Sequence, residues 1–147
     1  MSKYNKIDKS FYDLILGFFV KKGNKVKAKK ILDETFFIIQ KETNQPLSIL
    51  IGSLFYRLFT VVEVRKISTK KRSHFVPFII NPKRRVYLTI KWLKEAVLKD
   101  KRKVSLSQKL ASEILCVLAN KPCHSLELKK NNQTQAFSNR SNIYYRW

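Results

Sequence analysis

Between Val61 and Leu93 the hydrophobic period of this chain changes from helical to extended and back within one stretch, VVEVRKISTKKRSHFVPFIINPKRRVYLTIKWL. That switch excludes a plain helical bundle. Val62, Val64 and Ile67 alternate with Glu63, Arg65 and Lys66, as the two sides of a half-buried strand do. After a basic tip at Thr69–Ser73, the run from His74 to Ile80 reads as a second strand. Pro77 cannot donate to a ladder, so the ribbon has an open side or a bulge there. Asn81 and Pro82 then give a helix start, a capping residue followed by proline at the first position. Its first turn carries Lys83, Arg84 and Arg85. Two strands alone are marginal in water, so the ribbon must lean on helices or on a partner.

On either side of the ribbon the period is 3.6. Phe11, Leu14, Ile15, Phe18 and Phe19 form one apolar stripe behind Ser10 as N-cap. Gly23-Asn24 ends that helix in the basic loop KKGNKVKAKK. Ala28, Ile31, Leu32, Thr35, Phe36 and Ile39 mark a second helix, which stops near Thr43-Asn44. Pro46 suits the first turn of a third, with Leu47, Leu50, Ile51, Leu54, Phe55 and Leu58 inward. In the fourth helix Val86, Ile90, Leu93 and Val97 point inward. Ser105 and Gln108 form a capping box for a fifth, carrying Leu106, Leu110, Ile114, Val117 and Leu118; Pro122 breaks it. The remainder, HSLELKKNNQTQAFSNRSNIYYRW, has weak periodicity and reads as a short or frayed sixth helix with an aromatic, basic tail. The expectation is a mainly α chain, six helices with an extended two-stranded β-ribbon between the third and fourth. It is one domain over residues 1–147: a basic arm at 1–9, helices at 10–60, the ribbon at 61–80, helices at 81–120, and a C-terminal helix and tail at 121–147.

Charge decides the class of partner. Lys and Arg number 31 against 10 Asp and Glu, a net +21 over 147 residues. An isolated chain of that charge repels itself, which is best understood if a polyanion covers it. Nucleic acid is the first candidate, since counterion release supplies much of its affinity. An anionic membrane is the second, but no apolar run approaches the roughly 20 residues a span needs. Cys116 and Cys123 are the only cysteines, and the N-terminus has no small-residue cleavage site, so a reducing compartment is expected.

Catalytic chemistry finds no footing. Cys116, Cys123 and His124 lack the fourth ligand and the spacing of a structural zinc site. No Ser/His/Asp or Cys/His arrangement is visible, and Gly17, Gly23 and Gly52 cannot build a phosphate loop. No cofactor and no metal are expected. The scattered carboxylates suit helix-surface ion pairs. Glu63 is the exception: flanked by Val62 and Val64, it is placed to pair with Arg65, Arg84 or Arg85 and hold ribbon to helix.

The basic residues fall into three groups. Lys21, Lys22, Lys25 and Lys27 occupy the first interhelical loop. Lys70, Lys71 and Arg72 sit at the ribbon tip. Arg84, Arg85, Lys91 and Lys94 stripe the fourth helix around Tyr87. Any one run alone would more often be a solvated face. Together with Tyr87 and the tail Tyr144-Tyr145-Arg146-Trp147 as stacking surfaces, they point to nucleic acid. RNA is favoured over DNA, because no recognition helix is free of core duties and irregular RNA is gripped by loops, ribbons and aromatics.

The spacing of these pieces resembles a known family. Val62-Glu63-Val64-Arg65, Val76-Pro77, Pro82-Lys83-Arg84-Arg85 and Lys91-Trp92-Leu93-Lys94-Glu95-Ala96 look like the heart of ribosomal protein seven of the small subunit. Ser105–Leu115, the loop Lys22-Gly23-Asn24-Lys25, the Pro46-Leu47 junction, and Asn139-Arg140 with Tyr145-Arg146-Trp147 are similar as well. The resemblance implies a non-catalytic constituent of the small ribosomal subunit that binds the 3′ major domain of its rRNA and organises head assembly. It places the ribbon near the exit-site tRNA and the mRNA path, and the C-terminal region beside the small-subunit protein numbered eleven. The rRNA-binding residues implied are Lys21, Lys22, Lys25, Lys27, Arg65, Arg84, Arg85, Lys91, Lys94, Arg140 and Arg146. Lys70, Lys71 and Arg72 would reach toward tRNA and mRNA; Tyr87, Tyr145 and Trp147 would stack.

This chain departs from the family pattern in four places. Lys70-Lys71 stands where a Gly-Gly pair is usual, and His74-Phe75 replaces a tyrosine-glutamine pair. The N-terminal arm is reduced to a few lysines, and the last helix is about two residues short and lacks a usual histidine. With no targeting signal and a Lys- and Asn-rich, Gly-poor composition, the expectation is an organelle-encoded, mitochondrial member, with plastid as the alternative. A DNA-binding nucleoid or regulatory protein is the competing reading from another class; whether the native protein sediments with small subunits or with DNA separates the two.

Overall fold

The computed structural model describes residues 6–68, 70 and 72–146, with side chains from Tyr12 onward. Met1–Asn5 of the expected arm, Thr69, Lys71 and Trp147 lie outside the described residues. Chain order is α1 (Lys6–Phe19), α2 (Lys25–Thr43), α3 (Leu47–Leu58), β1 (Val62–Ser68), β2 (Ser73–Ile79), α4 (Pro82–Lys99), α5 (Leu106–Leu118), α6 (His124–Ser138) and a 3-10 segment, η1 (Arg140–Tyr145). The fold is mostly helical, with a two-stranded antiparallel ribbon between α3 and α4, as the period switch requires.

Five helices share one core. Ile15, Leu16, Phe19, Leu32, Phe36, Ile39, Leu50, Leu54, Leu58, Ile90, Leu93, Val97, Leu110, Ile114 and Val117 are buried together. Burying each such side chain contributes roughly 1.5–3 kcal/mol. The side chain of Phe11 lies outside the described residues; among the rest the expected stripes hold with one correction, and one cap is corrected as well. Leu14 is half exposed and Leu16 takes its place in the core; neighbouring positions on so apolar a helix differ by one step in phase. Ser10 lies inside α1, which begins at Lys6, so it is not an N-cap and the arm does not extend to residue 9.

The turns follow from local chemistry. Asn24 Oδ1 accepts from the Lys27 N–H at 3.2 Å and starts α2. Gly23 adopts φ +74°, the left-handed region where a Cβ is penalised. Asn44 ends α2 in the same region, its N–H donating to the Gln40 carbonyl at 2.9 Å. Ser105 Oγ accepts from the Gln108 N–H at 3.3 Å to start α5. Asn81 flanks α4 without a side-chain cap, and Pro82 opens the helix.

The ribbon pairs Val62 with Ile79 through Ser68 with Ser73, seven residues on each strand. The Ile80 N–H donates to the Val61 carbonyl at 3.0 Å, so ladder bonds fall on alternate pairs from there: Glu63–Phe78, Arg65–Val76 and Ile67–His74. Pro77 lies opposite Val64, between those bonds, with its ring nitrogen on the outer edge. The proline therefore removes no ladder bond.

α6 is the largest departure from expectation. It is a full 15-residue helix, yet Ser125 is its sole buried residue. Polar bonds hold it. Glu113 Oε1 accepts from both the N–H and the hydroxyl of Ser125, at 2.8 and 2.7 Å, and caps its first turn. Lys129 Nζ donates to the Arg57 carbonyl at 2.5 Å and Asn132 Nδ2 to the Val62 carbonyl at 2.7 Å. Leu126 packs against the main core, and Leu128 against a small second cluster of Ile80, Leu88 and Trp92. α4 thus buries two sides, one in the main core and one beneath the ribbon's root and α6.

Candidate nucleic-acid interface

The geometry is built outward from Glu63. This carboxylate is 9% exposed and receives Arg84 Nε at 3.1 Å, an Arg84 terminal nitrogen at 2.6 Å and Arg65 at 3.4 Å. The Arg84 hydrogen bond, chiefly, holds the Glu63 carboxyl below the ordinary carboxylate range, against the opposing effect of burial. The expected clamp between ribbon and helix is therefore present, and its partner is Arg84 first and Arg65 second.

Arg84 also lies over the Tyr87 ring at 4.7 Å, and Tyr87 packs on Phe18 of α1 with ring centroids 4.9 Å apart. One turn further, Lys91 makes an i,i+4 pair with Glu95 at 3.6 Å. Lys94 Nζ donates to the Phe18 carbonyl at 2.6 Å, meeting the negative end of α1. The same Lys94 lines a cavity with Lys21 from the α1–α2 loop and Lys27 from the first turn of α2, since α2 begins at Lys25 and takes Lys25 and Lys27 out of the expected loop. Two of the three basic groups are thus one surface. A track runs from Lys21 and Lys27 through Lys94, Tyr87 and Arg84 to Arg65 midway along β1. Arg85 stands aside from it, its Nε donating to the Ile80 carbonyl at 3.2 Å.

Lys21, Lys22, Lys25 and Lys27 are exposed and have no carboxylate within ion-pair distance among the described residues. At the tip, Lys70 and Arg72 are exposed; Lys71 lies outside the described residues, so the tip group is placed only in part. Arg65 keeps half its side chain in solvent and lies over Phe78 at 5.2 Å.

The C-terminal residues turn inward to the ribbon. Arg146 donates to the Pro77 carbonyl through Nε at 2.8 Å and through a terminal nitrogen, and its guanidinium lies 5.4 Å from the Phe78 centroid. Asn142 Nδ2 donates to the Phe75 carbonyl at 3.1 Å. Tyr145 stacks on His74 at 4.3 Å with an interplanar angle of 9°. Arg140 lies over Phe137 at 4.8 Å, and Trp147 is outside the described residues. Tyr145 and Arg146 are therefore first of all a brace along the outer edge of β2. The chain supplies the partner that two isolated strands need. The bracing residues Asn132 and Asn142 had no signal in the sequence, because a side-chain amide bonded to a main-chain carbonyl leaves no hydrophobic period behind.

Among the described residues no group of three or more His, Cys, Asp or Glu could hold a metal, and no helix is long and apolar enough to cross a membrane. Burial raises the Cys123 thiol above its ordinary value, away from reactive thiolate.

Comparison with known proteins agrees with this arrangement. The sequence profile of the family described as Ribosomal protein S7p/S5e matches residues 3–140. The chain is 32% identical over 126 residues to small ribosomal subunit protein uS7 of Caldicellulosiruptor saccharolyticus, covering 85% of this chain and 79% of that one. It is 28% identical to the uS7m protein of Drosophila melanogaster, covering 90% and 67%. It is 29% identical to the uS7m protein of Reclinomonas americana, covering 85% and 77%. A match across nearly the whole chain, with the ribbon between α3 and α4 where the resemblance requires it, settles the relationship: the chain belongs to the ribosomal protein S7p/S5e family.

Proposed function

We propose that this protein is a structural, non-catalytic constituent of the small ribosomal subunit and binds the 3′ major domain of its rRNA to organise the head. The observation that carries the reading is the continuous cationic track from Lys21 and Lys27 through Lys94, Tyr87 and Arg84 to Arg65, in a chain of this family. Lys21 and Lys22 of the loop and Lys25 and Lys27 at the start of α2, with no carboxylate in ion-pair distance among the described residues, grip phosphates beside the α4 stripe. The tip with Lys70, Lys71 and Arg72 extends toward the exit-site tRNA and mRNA path. Arg140 and the residues around Tyr145 face the neighbouring protein numbered eleven or the rRNA beside it.

The ribosome is proposed to be mitochondrial. Relatives named uS7m support an organellar member, while bacterial uS7 proteins are equally similar, so composition tips the assignment and a plastid ribosome is the alternative. Native lysate fractionated without nuclease tests the role: the protein is expected with the small subunit and crosslinked to the 3′ major domain. Sedimentation with DNA instead would overturn it.

A further inference from the structure

We infer that the cleft between the end of α1, the start of α2, α4 and the start of α5 is a receptor for one unpaired nucleotide base of the bound RNA. This rests on the rRNA-binding reading and adds to it a specific subsite. The cleft has a volume of about 170 Å³, with walls from Phe19, Ile31, Val97 and Leu98. Its rim carries Lys21, Lys27 and Lys94. Greasy walls beneath a ring of ammonium groups match a ligand with a flat apolar body and an anionic edge. A nucleotide has that form; a bare phosphate leaves the walls unused, and a neutral aliphatic chain leaves the lysines unpaired.

Size narrows the choice. An apolar cavity of roughly 150 Å³ takes a single benzene ring, so this one holds one ring system and not a base pair. The occupant must therefore come from a bulge, loop or single strand, where bases can leave the stack. A six-membered pyrimidine suits the volume best. Asn24 also lines the cleft; its side-chain oxygen already accepts the Lys27 N–H at 3.2 Å, which leaves its amide N–H2 as the donor that could serve a base carbonyl. Lys94 is steadied by the Phe18 carbonyl at 2.6 Å and still has two N–H groups to offer a phosphate.

The test uses the full chain, a short oligouridylate and its abasic counterpart with the same ribose-phosphate backbone. The wild type is expected to bind the abasic strand at least about fivefold more weakly, since base stacking on a protein surface is commonly worth that or more. Uridylate should move the methyl resonances of Ile31, Val97 and Leu98 by ring currents, and the abasic strand should not. Leu98 is more than half exposed, so Leu98→Asn should fold, and it should erase the difference between the two strands.

Equal affinities with a normal salt slope would overturn the pocket and leave rRNA binding intact. Discrimination that survives Leu98→Asn without methyl shifts would place base recognition elsewhere and overturn it too. Methyl shifts produced by an acidic peptide and not by uridylate would assign the cleft to a protein partner. Failure of both strands and of small-subunit rRNA to bind would remove this inference and its parent together.

Discussion

The Arg84 guanidinium grips the Glu63 carboxylate with two nitrogens, at 2.6 and 3.1 Å, and so fastens the first strand of the ribbon to the first turn of α4. Bidentate geometry of this kind fixes direction as well as distance. It sets the angle at which the ribbon leaves the helical body. It also means that the arginine nearest the ribbon is already half employed before any phosphate arrives.

Replacing Glu63 by Gln leaves Arg84 and Arg65 close together without their shared anion. Breaking a buried pair costs about 3–5 kcal/mol; with 42% of the Arg84 side chain in solvent, screening reduces the expected loss to about 1–2 kcal/mol. The pH dependence has a definite sign. The folded carboxyl titrates below its ordinary value of 4.5, so its stabilisation is fully present above that value and is lost as the pH falls through the folded pKa. Denaturant unfolding of both proteins should show a constant gap above pH 4.5 that closes on acidification below it. A gap independent of pH would remove Glu63 from the clamp.

Phosphate contacts should be read from the salt dependence of RNA binding. Lys22 and Lys25 are exposed, have no carboxylate within ion-pair distance among the described residues, and do not line the cleft. Lys22→Ala with Lys25→Ala is expected to flatten the slope of log affinity against log salt by roughly one unit per contact. Arg85→Ala, which removes a bond to the Ile80 carbonyl, should lower stability more than it changes the slope. Filter binding across a salt series decides between them, and an unchanged slope in the lysine variant would clear both residues of phosphate contact.

The helices whose apolar faces bury into one core were legible because burial writes a 3.6-residue period into the side chains. α6 was not, because Glu113, Lys129 and Asn132 dock it largely through polar bonds, and Leu126 and Leu128, the leucines that pack, are two residues apart and write no helical period. The same limit governed the site. The three basic groups were visible as charge, and the Glu63 clamp as a carboxylate isolated between valines. Which cations were already engaged was invisible, since Lys94, Arg85 and Arg146 bond to the carbonyls of Phe18, Ile80 and Pro77, and every residue of every sequence offers a carbonyl. Tyr145 read as a stacking surface for RNA for the same reason: its partner His74 lies 71 residues away, across a ribbon edge the sequence alone could not orient.

Gly23 holds the loop that presents the lysines. At φ +74° an L-residue is strained, although a Cβ there would meet no atom within 4 Å. Gly23→Ala should therefore cost about 1–2 kcal/mol from backbone conformation alone. Gly23→Asn, whose side chain tolerates this region, should recover part of it. Equal melting temperatures for the Ala and Asn variants would show that something other than backbone strain is at work.

The brace along β2 makes the last prediction. Arg146 donates twice to the Pro77 carbonyl and lies over Phe78, while Asn142 donates to the Phe75 carbonyl. These bonds lie on the outer edge, and the ladder amides of Val76 and Phe78 lie on the inner one. Arg146→Ala removes a charge-assisted pair of bonds and a cation–π contact from a largely exposed position, for a loss of about 1–2 kcal/mol. Because the loss is confined to the ribbon, it should surface as local opening and leave the helical core unaffected. Hydrogen exchange at Val76 and Phe78 is expected to quicken by about tenfold, while amides of Leu32, Ile90 and Val117 keep their wild-type rates. Arg146→Lys, which restores the charge without the fork, should fall between the two. Uniform acceleration across core and ribbon would mean that the C-terminal segment stabilises the whole domain and does not act as a splint for one edge.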